Sequence, residues 1–97
     1  QVLRLARLTE ASGVDGVVCS PHEVALLRRE LGEDFALVVP GVRPHWAGAD
    51  DQKRIMPPGE AVAAGANHLV IGRPITKSSD PVAAARRISE EIAEVQA

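Results

Sequence analysis

Three short apolar runs, "GVVC" at 16 to 19, "FALVV" at 35 to 39 and "HLVI" at 68 to 71, carry no alternation of polar and apolar residues. A strand with one wet face alternates, so runs of this kind suit strands buried on both faces, as in a parallel sheet covered by crossover helices. The segments between them read as helices. Val2, Leu5 and Leu8 recur at helical spacing, and "SGVDG" then breaks the pattern ahead of the first run. "PHEVALLRREL" puts Val24, Leu27 and Leu31 on one face between Pro21 and Gly32. Pro58 opens a shorter helix that Gly65 closes. Asp80 is placed to cap a last helix that starts at Pro81 and carries Ala85, Ile88, Ile92 and Val95 as its apolar stripe.

The order α-β-α-β-α-β-α fits a doubly wound open sheet or part of a (β/α)8 barrel. Three strands do not close a barrel, and 97 residues fall well short of the roughly 250 that such a barrel uses. A barrel reading therefore makes residues 1–97 a single segment, the last part of one domain. Because the chain opens on Gln1 already in helical pattern, its N-terminal part is expected to lie upstream.

Polar residues of unusual type cluster directly after the strands, where parallel α/β folds bind ligands. "CSPHE", "PGVRPHWAGADDQKR" and "GRPITKSSD" are these three connections. The second is longer than the two to six residues usual for a βα loop and makes a candidate lid, with Gly41 and Gly48 as possible hinges and the one tryptophan, Trp46. In the third, Gly72 lets an anion approach the backbone and Arg73 offers a planar fork suited to phosphate, with help expected from a short helix near 74 to 79. Two residues alone leave a surface arginine equally open. A net charge of -2 gives no general attraction to nucleic acid or to an anionic membrane, so any anion needs a local site. No run approaches the length of a membrane span.

Bland readings cover other polar residues. Adjacent Asp50 and Asp51 read as solvated loop acids, His22 as a surface residue, and His68 as lacking metal-ligand partners. Arg28 to Glu30 and Arg86 to Glu91 read as charged helix faces. Ser20 has no hydrolase elbow around it and is placed at the ligand rim. Cys19, the one cysteine, reads as a buried structural thiol in a reducing compartment.

The stretches "DGVVCSPHEV" and "VVPGVRPHWAGADDQKRIMPPGEAVAAGANHLVIGRPITKSSDP" resemble the C-terminal part of bacterial orotidine 5'-phosphate decarboxylases, over about barrel strands six to eight. A reducing cytoplasm is the default compartment, and the resemblance implies a C-terminal part of a TIM (β/α)8 barrel and a homodimeric enzyme that converts orotidine 5'-phosphate to UMP and CO2 without metal or organic cofactor. It further implies that Arg73 and the backbone of Gly72 bind the substrate phosphate. Gln52 would reach from the lid to the phosphate and the pyrimidine, and Arg43 would close over the phosphate. The family's catalytic lysine lies in a "D-x-K-x-x-D" element that these 97 residues lack, since neither Lys53 nor Lys77 matches it. No catalytic residue is therefore assigned here, and the segment alone is expected to be inactive. Pro57 stands where bacterial members usually have a threonine that would cap the next helix, which puts local helix stability in question. Two other readings remain open at this stage. One is a Mg2+-dependent sugar-phosphate enzyme of the hexulose-phosphate synthase or keto-gulonate-phosphate decarboxylase type, and the other is a non-catalytic phosphate-binding barrel fragment. A three-stranded piece of barrel would also leave bare strand edges and apolar helix faces.

Overall fold

A computed structural model describes residues 1–47 and 55–96. The elements are α1 (Val2–Ala11), β1 (Gly16–Val18), a 3-10 turn at Pro21–Glu23, α2 (Val24–Leu31), β2 (Ala36–Pro40), a second 3-10 turn at His45–Ala47, α3 (Pro58–Ala64), β3 (His68–Val70), α4 (Arg73–Thr76) and α5 (Pro81–Gln96). The three expected strands form one parallel sheet in the order β1-β2-β3. Register pairs Val17 with Leu37 and Val39 with Leu69, so these side chains share one face. That face meets the helices: Leu37 and Val39 are fully buried, together with Val24 and Leu27 of α2 and Ala61 of α3.

The opposite face differs from the expectation of burial on both sides. Val18, paired through Val38 with His68, is 71% exposed, and Val70, paired with Pro40, is 55% exposed. Lack of alternation reports what a strand is built to meet, not what covers it in the chain at hand. The first helix behaves likewise: Val2, Leu5 and Leu8 are exposed, while Ala6 is buried and Leu3 packs on the core. In α5 the buried residues are Ala84 and Ile88, and Val95 at the end of the expected stripe is exposed.

Two helix ends are fixed by carboxylates. The Asp80 side chain accepts from the Ala83 amide at 3.1 Å, the expected cap of α5. Pro57 offers α3 no side-chain cap, but Glu91 of α5 accepts from the Gly59 amide at 3.2 Å and does the same work from a neighbouring helix. The start of α3 thus has a side-chain acceptor for one of its free amides despite the proline at 57.

Arg28 departs most from its sequence reading. It is no solvated face residue: its guanidinium donates to the carbonyls of Gly65, Gly32 and Phe35 at 2.7, 2.7 and 2.8 Å and to Oδ1 of Asn67. The same Oδ1 accepts from the Leu37 amide, and the Asn67 amide donates to the Leu37 carbonyl at 3.0 Å. One side chain so ties the end of α2 to the starts of β2 and β3. Gly65 leaves room for it, since a Cβ there would lie 2.7 Å from Cγ of Arg28, and its φ of 124° also favours glycine. Replacing Arg28 by methionine keeps most of the stem and orphans several carbonyls, so Arg28→Met is expected to lower the unfolding free energy by about 2 to 4 kcal/mol in urea titrations followed by circular dichroism.

Candidate functional site

The C-terminal ends of β2 and β3 lie side by side because Pro40 pairs with Val70. The chain leaves β2 through Gly41, whose φ of 76° suits glycine, and so turns Val42 and Arg43 back across the strand ends. It leaves β3 through Gly72, the residue before α4, whose carbonyl accepts from the Ile75 and Thr76 amides at 2.9 and 3.0 Å. Between the two turns lies a cleft of about 270 Å3 lined by Pro40, Gly41, Val42, Arg43, Val70, Gly72, Arg73 and Pro74. Arg43, Gly72 and Arg73, three of the four residues expected to bind substrate, therefore border one space.

Each has a physical basis for its place. Among the described residues a Cβ on Gly72 would meet no atom within 4 Å, so their packing does not demand glycine there. Arg43 is the buried charge of the described residues, 7% exposed. Its amide donates to the Met56 carbonyl at 3.0 Å, which closes the base of the long loop, and its Nη2 donates to the Ala47 carbonyl at 2.9 Å. Arg43 thus belongs to the fixed base of the loop and forms a wall of the cleft. The short helix expected near 74 to 79 forms at Arg73–Thr76 and carries Arg73 at its first position.

Gln52, the fourth expected ligand, lies outside the described residues, as do the possible hinge Gly48, Asp50, Asp51 and Lys53. Ser20 is exposed and its amide donates to the Glu23 carboxylate at 3.0 Å. Among the described residues no three His, Cys, Asp or Glu side chains gather as a metal site, and no helix is long and apolar enough to cross a membrane.

A second cleft, of about 220 Å3, lies behind Arg43 and Arg73 and is lined by both with Trp46, Ala47, Pro74, Lys77 and Ser78. Here the guanidinium of Arg87 from α5 sits 4.6 Å from the centre of the Trp46 ring. Sequence reading put Arg87 on a charged helix face and missed this contact. Helical spacing does not reveal that a distant loop returns to the helix, and only the presence of a lone tryptophan in a polar loop hinted at it.

Compared with known proteins, the chain matches the model of the "Orotidine 5'-phosphate decarboxylase / HUMPS family" over residues 1–88. Orotidine 5'-phosphate decarboxylase of Gluconobacter oxydans is 60% identical over 93 residues, 96% of this chain and 39% of the relative. The enzyme of that name from Syntrophotalea carbinolica is 62% identical over 92 residues, 95% of this chain and 38% of the relative. The chain thus spans well under half the length of the curated relatives it matches. A crystal structure of orotidine 5'-phosphate decarboxylase from Lactobacillus acidophilus, 43% identical, superposes with a TM-score of 0.79 over 94% of this chain and 36% of that one. One from Sulfolobus solfataricus, 24% identical with a TM-score of 0.72, agrees in fold. The three-stranded sheet and its helices are accordingly part of the wall of a (β/α)8 barrel.

Cys19, at the end of β1, is buried as expected. Burial pushes its thiol pKa up, and the Glu23 carboxylate adds to the shift while Arg28 opposes it. The unfolded chain gives up this proton first, so the thiol favours the folded state below its ordinary pKa and that advantage is lost as pH rises through the raised one. Alkylation by iodoacetamide, followed by mass spectrometry, is expected to be slow on the folded chain at pH 8 and to become rapid after unfolding in urea.

Proposed function

This chain belongs to the orotidine 5'-phosphate decarboxylase / HUMPS family, and we propose that it supplies the phosphate grip of an orotidine 5'-phosphate decarboxylase, which turns orotidine 5'-phosphate into UMP and CO2 in pyrimidine biosynthesis. The observation that carries this reading is the meeting of Arg43, Gly72 and Arg73 around one cleft at the strand ends, in a chain 60% identical to enzymes of that name.

In this reading Arg73 presents two N–H groups to the phosphate oxygens, the strong charge-assisted geometry, and the bare backbone at Gly72 lets the phosphate come close. Arg43 adds positive charge from a fixed position, and Gln52 reaches in from the loop. The phosphate takes no part in bond breaking, yet its binding energy can hold the pyrimidine in the reactive orientation and so lower the barrier at a distant ring carbon. Loss of CO2 from C6 leaves a carbanion that must gain a proton. We assign that proton donor to none of these residues, so the 97-residue chain by itself binds nucleotide without turning it over. As the C-terminal portion of one barrel domain, the segment works in a cytoplasmic homodimer, with orotidine 5'-phosphate as substrate and no cofactor.

Calorimetric titration with UMP tests the grip. The folded chain is expected to bind UMP in the micromolar to millimolar range and uridine far more weakly, with Arg73→Ala weakening UMP by about 10- to 100-fold, the size of a lost hydrogen bond to a charged group. A folded chain that binds uridine as well as UMP, or an Arg73→Ala variant of unchanged affinity, would overturn the assignment.

A further inference from the structure

We propose that Trp46 and Arg87 form a latch that positions Arg43, and so sets the affinity of the phosphate site without either residue touching the ligand. The proposal deepens the phosphate-binding reading and rests on it.

Arg43 reaches the cleft wall from a chain segment with little regular structure around it. One of its guanidinium nitrogens donates to the Ala47 carbonyl at 2.9 Å, which couples the side chain to the place of that carbonyl. Ala47 ends the single 3-10 turn His45–Ala47, closed by the Ala47 amide on the Pro44 carbonyl at 3.1 Å, and Pro44 itself is fully buried. One turn of 3-10 helix has no stability of its own. Trp46 ties it to a long element, since its ring lies under the Arg87 guanidinium, 4.6 Å from its centre. Arg87 stands on the second turn of α5, a helix of 16 residues whose start Asp80 caps. The contact uses the ring face, and Nε1 of Trp46 is buried with no hydrogen-bond partner among the described residues. Positional information so passes from α5 through Arg87 and Trp46 to the Ala47 carbonyl and on to Arg43. Trp46 and Arg43 also line the same cleft with Arg73.

A double-mutant cycle separates this role from simple packing. UMP affinity and thermal stability are measured for Arg87→Gln, Trp46→Phe, Arg43→Ala and the Arg43→Ala/Arg87→Gln pair. Arg87→Gln is expected to weaken UMP by about two- to fivefold, the worth of an exposed cation–π contact. Trp46→Phe keeps a ring face and should stay near the parent affinity. In the Arg43→Ala background, Arg87→Gln should cost nothing further. Equal loss from Arg87→Gln with and without Arg43, or a fall in melting temperature with affinity unchanged, overturns the latch. Since Trp46 is the chain's one tryptophan, its emission reads the stack without ligand: Arg87→Gln should change it, and an unchanged spectrum is evidence against the contact. If the parent chain fails to bind UMP, the grip and the latch fall together. If it binds and Arg73→Ala weakens it while the Arg87 variant does not, the latch alone falls.

Discussion

The guanidinium of Arg28, gathered against the carbonyls of Gly32, Phe35 and Gly65 and the side chain of Asn67, is the contact on which the rest of the sheet depends. Parallel strands are joined by crossovers, so nothing in the local chain sets how β2 meets β3. The helix end and strand starts at this level expose carbonyls that must find donors when buried. A single planar cation with five N–H groups answers several of them together and leaves Asn67 free to bridge to Leu37. Register at the bottom of the sheet then carries upward to the pairing of Pro40 with Val70, and that pairing brings Gly41 and Gly72 close.

The Arg28 network and the cleft are therefore placed at opposite ends of the same strands. The Arg28 network sits where β2 and β3 begin, and the cleft with Arg43 and Arg73 sits where they end. Barrel folds divide labour in this way, with connections on one face free to serve chemistry because the other face holds the strands. The open sheet face, with Val18 and Val70 bare, fits the same picture. In a closed barrel that face looks into a packed interior, so its apolar residues are built for neighbours beyond the three strands seen here.

Much of the fold was legible in the chain. Runs without alternation located the strands to within a residue or so, Pro58 and Pro81 opened helices, and Asp80 capped one as its type and place foretold. Gly72 and Arg73 were picked out by their place after a strand and Arg43 through the family resemblance, and the structure brings the three to one cleft. The misread charges share one cause. Arg28, Arg87 and Glu91 all looked like solvated charges on helices, and each instead reaches a partner far away in sequence: a carbonyl cluster, a tryptophan ring, a helix start. Helical period tells which face a residue is on, but charged stems are long and meet whatever packs beside that face.

By itself the sequence determined the order and kind of the elements, because apolar period and the backbone limits of glycine and proline act within a few residues. It also determined which residues stand after the strands. What only the tertiary structure decided was which charges are structural and which border the cleft, that Arg43 is held at the base of the loop, and that Trp46 leans on α5. Those outcomes depend on contacts between segments tens of residues apart, and their energy comes from desolvation and hydrogen-bond geometry that exist only once the sheet has placed the segments together.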